Sequence, residues 1–151
     1  MTGVQARHAC FRAVLTALAY PGRPQALPVR AEQAPRLILD SVWEESQLGK
    51  DVFLLEADNV DLDLAALPRG DEERPEAGAT VIVSAAGGSV EGWIEGPGVR
   101  ARTRVRLPVS AHLLSDRDRA CAEPPAGIDL LIVSADGSVI GLPRTTRLAL
   151  D

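Results

Sequence analysis

Lysine is almost missing from this chain of 151 residues, since Lys50 stands alone against fifteen arginines. Any mechanism that needs a lysine, whether as a Schiff base or as a phosphate ligand, must therefore use Lys50 or a residue of a partner chain. Aromatic residues are also scarce, at 3% of the sequence, so the core has to be built from Leu, Val, Ile and Ala.

Cysteine and histidine are nearly as rare. The chain has only Cys10, Cys121, His8 and His112, and none of them lies in the spacing of a metal site. This pattern argues against a zinc or iron–sulfur centre within the chain and favours a reducing compartment. We expect free thiols, no bound metal and surface positions for both histidines.

Long apolar runs are absent as well, because no stretch approaches the ~20 residues of a membrane helix. Residues 13–19 superficially resemble the core of a secretory signal, but they are at its short limit and Arg12 abuts them, so we predict a helix of a cytoplasmic protein. The net charge of −5 gives no field that attracts nucleic acid or an anionic membrane. This length predicts a single domain, residues 1–151.

Periodicity and turn residues predict the secondary structure. A stripe at three- and four-residue spacing predicts a helix over residues 4–19 with this stripe facing the core: Val4, His8, Phe11, Leu15 and Leu18. Further helices are predicted over residues 31–48, from Ser110 towards Cys121, and for one or two turns after Asp61 or Asp63. The predicted strands are residues 27–30, 52–56, 79–85, 90–95, 99–107, 128–134, 139–142 and 148–150.

The order of these elements predicts the fold class. Helices and strands mingle, and several strands are joined by short glycine turns, as in a predicted hairpin of residues 79–85 with 90–95. A second hairpin is expected at Asp136-Gly137-Ser138. We therefore predict an α/β fold with one mixed sheet flanked by helices.

The clearest local pattern of charge is a row of arginines at alternate positions: Arg100, Arg102, Arg104 and Arg106. In a strand all four guanidinium groups point the same way. Such a row could bind a phosphate, a nucleotide or an acidic partner, because guanidinium groups match oxyanions. The alternative is a solvated edge strand whose charges prevent aggregation.

A second candidate follows a proline near the end of the chain. Arg144, Thr145 and Thr146 offer one planar cation and two hydroxyls that could hold an anion; the alternative is a strand end whose polar groups bond to the backbone. Asp129 begins an apolar strand and either accepts backbone hydrogen bonds or faces a cleft. Glu76 has the same ambiguity in a loop.

Several catalytic signatures are missing from the sequence. No Gly-Lys-Ser/Thr phosphate loop and no nucleophile elbow occur, and Gly96-Pro97-Gly98 lacks the third glycine of a dinucleotide site. No carboxylate and histidine stand out as an acid–base pair. The sequence therefore does not indicate a complete enzyme active site.

Six segments together resemble one family. The segments Phe11-Arg12, Pro21-Gly22, residues 75–80, Gly96-Pro97-Gly98, residues 127–130 and residues 142–146 are similar in order and in most spacings to those of PhnH, the H subunit of the bacterial carbon–phosphorus lyase system. Family members are typically longer. Between Trp43 and Val52 this chain lacks a stretch that in the family holds a strand, a helix and an Arg-Phe-His-Thr-like motif.

The resemblance implies a cytoplasmic subunit of a multi-subunit complex for the use of alkylphosphonates. With its companions the family supports transfer of a phosphonate to the ribose of ATP, giving α-D-ribose 1-methylphosphonate 5-triphosphate. It also implies a fold like that of pyridoxal-phosphate-dependent transferases without the cofactor, a homodimer, and the other lyase subunits as partners.

Three functions remain open at this point. The first is a structural or co-catalytic transferase subunit. The second is an anion-binding module for a phosphonate or nucleotide, with Arg144, Thr145, Thr146, Asp129, Arg100, Arg102 and Arg104 as candidate ligands. The third is a small enzyme acting on a phosphorylated substrate.

Overall fold

The computed structural model of the chain describes residues 1–56, 63–85 and 87–151. Its helices are α1 (Gly3–Ala19), α2 (Ala34–Val42) and α3 (Ala111–Ala120), with short 3-10 helices at Glu45–Gln47, Leu64–Ala66 and Pro75–Ala77. Its strands are β1 (Gln25–Ala26), β2 (Val52–Glu56), β3 (Thr80–Ser84), β4 (Val90–Glu95), β5 (Thr103–Leu107), β6 (Asp129–Val133), β7 (Ser138–Leu142) and β8 (Arg147–Leu150).

The strands form two sheets. The larger has the order β1-β7-β6-β3-β2, in which β2, β3 and β6 are parallel while β7 runs antiparallel to both β6 and β1. The smaller is antiparallel, with the order β5-β4-β8. The α/β class with a mixed sheet is thus confirmed, and so is the hairpin of β6 with β7.

The predictions of a single sheet and of a hairpin between β3 and β4 are wrong. Four of the five residues of β3 are buried, which requires covered faces and a strand on each side, and β2 and β6 supply these strands. In β4 only two residues of six are buried, as in a sheet with one solvated face. Burial therefore separates two strands that are close in sequence.

Each face of the larger sheet supports its own apolar cluster. One cluster packs α1 and α2 against alternate sheet residues that include Ile82, Leu131 and Val139. The other packs α3 and the smaller sheet against residues between these, such as Val81 and Leu130. The larger sheet is consequently covered on both faces, which is why its central strands are almost wholly apolar.

Helix α1 confirms the predicted helix but not its orientation. Its buried residues are Cys10, Ala13, Val14 and Ala17, whereas Val4, Phe11 and Leu15 of the predicted core stripe are exposed. Mostly small residues form the buried face because the helix lies very close to β7: a Cβ placed on Gly141 would be 2.4 Å from the Ala17 carbonyl oxygen. Large side chains could not fit into this contact.

The bounds of several other elements differ from the predictions. Helix α2 is shorter than residues 31–48, because the chain becomes extended at Trp43 and continues into a 3-10 helix. The prediction of a strand over residues 27–30 is wrong, because the pairing with β7 ends at β1, just before residue 27. Pro28 has no N–H group with which to extend the ladder. Strand β5 begins later than predicted, so Arg100 and Arg102 precede it.

Two predicted helix caps are confirmed. The Asp63 carboxylate accepts the backbone N–H of Ala65, and the Ser110 hydroxyl accepts that of Leu113 at 3.1 Å. The alternative cap Asp61 lies outside the described residues. None of the helices in the described part of the chain has the length and hydropathy that crossing a bilayer requires.

Candidate functional site

Arg144 lies in the loop that connects β7 of the larger sheet to β8 of the smaller one. Its backbone N–H donates to Asp129 Oδ1 at 2.7 Å, and its Nη2 donates to Asp129 Oδ2 at 3.0 Å. Its Nη1 donates to the carbonyl oxygen of Pro75. Arg144 therefore ties the connection between the sheets to the start of β6 and to the loop before β3.

Close packing surrounds these contacts. A Cβ on Gly78 would lie 2.3 Å from the Gly127 carbonyl oxygen and 2.7 Å from Arg144 Nη1. A Cβ on Gly127 would lie 2.9 Å from that of Arg144. Both positions thus need glycine for steric reasons, which explains the glycines of the segments at 75–80 and 127–130.

Arg117 of α3 holds the same loop from the other side. Its side chain is buried, and its Nη2 donates to the carbonyl oxygens of Pro143 at 2.6 Å and Thr146 at 2.8 Å. Its Nη1 donates to Asp118 Oδ1 at 3.0 Å. We call the set Arg117, Asp129, Arg144 and the Pro75 carbonyl the junction cluster, because it fixes the passage from one sheet to the other.

Arg117 is a residue of this site that was not predicted from the sequence, although its position on the helix gave a signal. Arg117 follows Leu113 and Leu114 by four and three positions and precedes Ala120 by three, so it lies on the apolar face of α3. A charged residue on the buried face of a helix needs a partner. Here the partners are main-chain carbonyl groups, which no sequence pattern identifies.

A cavity of about 560 Å³ adjoins the junction cluster. Its polar lining consists of Arg117, Arg144, Thr145, Thr146, Arg147 and one acid, Asp118, whose carboxylate pairs with Arg117. Two prolines at 124 and 125 form part of its apolar wall. Thr146 Oγ1 and Arg117 Nε are buried and have no hydrogen-bond partner among the described residues. The cavity thus combines guanidinium and hydroxyl groups in the pattern predicted for an anion.

The predicted row of arginines lies elsewhere, on the outer face of the smaller sheet. Arg104 donates to Glu91 at 3.1 Å and to Asp151, and Arg106 donates to Glu91 at 3.2 Å. Arg102 and Arg104 also approach the Trp93 ring, with guanidinium carbons 4.9 Å and 5.3 Å from its centroid.

These contacts lie on an open surface, where they lower the pKa of an acidic side chain, and they do not form a cleft. The hydrogen bonds from Arg104, and then from Arg106, hold the pKa of the Glu91 carboxyl below its usual value. Arg100 lies in a bend before the strand, so the four guanidinium groups do not form one row. None of Arg100, Arg102 and Arg104 lines the cavity beside the junction cluster.

The remaining candidate residues do not join this site. Lys50 is exposed in a turn, and Glu76 is exposed within a 3-10 helix. Cys10 lies on the buried face of α1, where burial raises the pKa of its thiol, while the Cys121 thiol donates to the Ile128 carbonyl oxygen. Within the described ranges, no group of three or more potential metal ligands occurs.

Comparison with known proteins decides the family. The family described as "Bacterial phosphonate metabolism protein (PhnH)" matches residues 50–149, about two thirds of the chain. The chain belongs to the PhnH family. The matched region contains the whole junction cluster, so the contacts between segments 75–80, 127–130 and 142–146 lie within the part of the chain that carries the family pattern.

A relative in Stutzerimonas stutzeri gives the same result. It is HtxG, named as a candidate C–P lyase subunit protein, and it is 30% identical over an alignment of 165 positions, gaps included, that covers 93% of this chain and 84% of HtxG. The alignment is longer than the chain, so HtxG has residues that this PhnH-family chain lacks.

Proposed function

We propose that this PhnH-family chain is a subunit of a carbon–phosphorus lyase complex that lets a bacterium use alkylphosphonates. The observation that carries the proposal is the family match over residues 50–149, and the naming of HtxG as a C–P lyase subunit supports it. In this role the chain needs no complete active site of its own, since companion subunits can supply one.

Within that complex, the finer role we propose is to support formation of α-D-ribose 1-methylphosphonate 5-triphosphate from ATP and an alkylphosphonate. The contacts of the junction cluster favour a structural contribution, because most N–H groups of the Arg117 and Arg144 side chains already donate to carbonyl and carboxylate oxygens of the same chain. We also propose that the fold is related to pyridoxal-phosphate-dependent transferases but takes no such cofactor, since the single lysine is an exposed turn residue.

Genetic complementation tests the proposal. The test uses a host whose own H subunit is deleted and whose other lyase subunits are intact. This host receives the chain and is supplied with methylphosphonate as the sole phosphorus source. We expect growth, and co-purification of the chain with a tagged companion subunit. Absence of both growth and co-purification, with the chain present in the soluble extract, contradicts the proposal.

A second candidate function is anion binding in the cavity beside the junction cluster. It is favoured by one observation: the largely exposed Arg147 lines the same cavity as Thr145 and Thr146, and the Thr146 hydroxyl has no hydrogen-bond partner in the described part of the chain. Arg147 Nε lies 3.5 Å from Glu95 on the surface, a contact that an anion could replace.

Thermal unfolding with and without methylphosphonate, phosphate or ATP tests this second function. We expect the wild-type melting temperature to rise with the ligand and the rise to disappear in Arg147→Ala, whose own stability should be almost unchanged. Arg106→Ala removes an equally exposed arginine of the outer face and is the matched control. A wild type that shows no rise with any of these anions leaves only the first proposal.

A further inference from the structure

The large apolar residues of α1 face solvent. Val4 is 64% exposed, Phe11 39% and Leu15 49%, and their spacing of seven and four positions aligns them along one side of the helix. We call these three residues the α1 stripe. They form an exposed apolar line in which the exposed His8 separates Val4 from Phe11, whereas isolated exposed apolar residues are ordinary on protein surfaces.

Packing inside the chain gives the α1 stripe no role. The opposite side of α1 packs through small residues against β7 and α2, and that contact is already close, as the approach of Ala17 to Gly141 shows. The helix end is also secured without the stripe, because Thr2 and Gln5 form a reciprocal capping box. The stripe is therefore not needed to hold α1 on the sheet.

Positive charge flanks the α1 stripe on both sides. Arg7 and Arg12 lie beside it, one on each side, and the first 31 residues hold four arginines and no Asp or Glu in a chain whose net charge is −5. From a neighbouring element, Asp40 of α2 lines a shallow groove with Arg7 and Phe11, but its carboxylate already pairs with Arg36 at 3.4 Å. The rims of the stripe are thus cationic.

We infer that the α1 stripe docks into an apolar groove rimmed by carboxylates on a companion subunit of the lyase complex. An amphipathic helix that presents anchors at i, i+7 and i+11 to a groove is a standard mode of recognition, and opposite charges at the rims fix its register. The inference rests on the proposed function, since that function supplies the companion.

Two other occupants fit the stripe less well. A two-fold pairing of α1 with α1 of a second copy would bring the arginine rims together and add repulsion. A membrane would be held by only three large apolar residues and two arginines, less than stable anchoring requires. A companion with an acidic rim satisfies both the apolar and the charged groups.

Co-expression tests the inference with the full chain. The chain is produced with its companion subunits, one of which carries the affinity tag, and the amount that co-purifies is measured for the wild type and for Phe11→Ser/Leu15→Ser. We expect a loss of at least about tenfold in the double variant. Leu54→Ser, which removes a residue of similar exposure (41%) on β2, should co-purify like the wild type.

A charge-reversal variant separates docking from misfolding. Arg7→Glu/Arg12→Glu leaves every buried residue of α1 in place, so its melting temperature should match that of the wild type while co-purification falls by about threefold or more. Undiminished co-purification of both double variants overturns the inference and leaves the proposed function standing. Failure of the wild type to bind any companion overturns the proposed function, and the inference with it.

Two further results would assign the stripe differently. Sedimentation velocity of the isolated chain should give the same species for the wild type and Phe11→Ser/Leu15→Ser; a dimer that only the wild type forms assigns the stripe to a second copy and overturns the inference. Flotation with vesicles of phosphatidylglycerol and phosphatidylcholine should leave the chain unbound; binding that the double variant loses assigns the stripe to a membrane, with the same consequence.

Discussion

Two groups of arginines in this chain have the same charge but different surroundings. In the junction cluster, Arg144 is mostly buried, with 16% of its side chain exposed, and it contacts two other segments of the chain. On the outer face of the smaller sheet, Arg104 and Arg106 are exposed and pair with Glu91 across the strand ladder. The arginines of the junction cluster thus join segments that are distant in the sequence, whereas those of the outer face lie on the protein surface.

This difference shows that the spacing of arginines in the sequence is a poor guide to their contribution to stability. Alternate arginines form the more conspicuous pattern, yet exposed ion pairs contribute little because water and salt screen them. A single arginine after a proline has greater consequences, since loss of one partner leaves a buried charge or carbonyl without compensation. Substitutions in the two groups should therefore differ widely in their effect on stability.

Arg144→Ala should lower the free energy of unfolding by about 3 kcal/mol, because Asp129 would keep a mostly buried charge and the Pro75 carbonyl would lose its donor. Arg104→Ala should change the urea midpoint very little. Equilibrium urea unfolding of the two variants and the wild type measures both effects. Similar midpoints for the two variants would remove the contrast.

Gly78→Ala should destabilise the chain by about 2 kcal/mol or more, because the added methyl group would overlap the Gly127 carbonyl oxygen and Arg144. The matched control is Gly3→Ala, at a helical glycine with no atom within 4 Å of the new methyl group. Its melting temperature should be unchanged or slightly higher. A Gly78 variant as stable as this control would mean that the junction has room to relax.

Thr146→Val should leave the free energy of unfolding unchanged or raise it by up to about 1 kcal/mol. Valine has nearly the same shape, and among the residues that the structure describes the buried Thr146 hydroxyl has no hydrogen-bond partner to lose. If the hydroxyl serves a bound anion, the same variant loses the ligand-induced rise in melting temperature. A marked destabilisation without ligand would instead reveal a hydroxyl contact essential to the fold.

Acid should weaken the outer face only slightly. The pKa of the Glu91 carboxyl is lower in the folded chain than in the unfolded chain, where it is about 4.3. The ion pairs of Glu91 therefore contribute fully to stability above this unfolded pKa, and the contribution is lost as the pH falls through the folded pKa. Glu91→Gln should therefore differ from the wild type in melting temperature by a small amount at pH 7, and this difference should shrink steadily as the pH falls below about 4.3. A difference that does not shrink with falling pH would exclude the carboxylate charge as its cause.

Local patterns predicted much of the fold. Strand β2 has the predicted bounds, as has β4, and the Asp63 and Ser110 caps follow from residue type alone. Such features depend on a few neighbouring residues. The partition into two sheets does not, because it is set by which strands are covered on both faces, and that coverage comes from distant helices.

The candidate site was predicted only in part, for a related reason. Arg144 and Asp129 were singled out, but their contact joins residues fifteen positions apart, and the contact of Arg144 with Pro75 ends on a carbonyl group that every residue possesses. The stripe of α1 was assigned to the core because helical periodicity shows that one face is apolar, but not whether that face meets this chain or another. Small residues on the opposite face were the better signal.

A pair of double-mutant cycles tests the contrast between the two groups of arginines most directly. The first cycle combines Arg144→Ala with Asp129→Ala, and the second combines Arg104→Ala with Glu91→Ala, each measured by urea unfolding at pH 7. We predict a coupling free energy of about 2 kcal/mol or more for Arg144 with Asp129 and coupling near zero for Arg104 with Glu91. Equal coupling in the two cycles, or stronger coupling on the outer face, would contradict the assignment of Arg144 as the residue that ties the connection between the sheets to the start of β6.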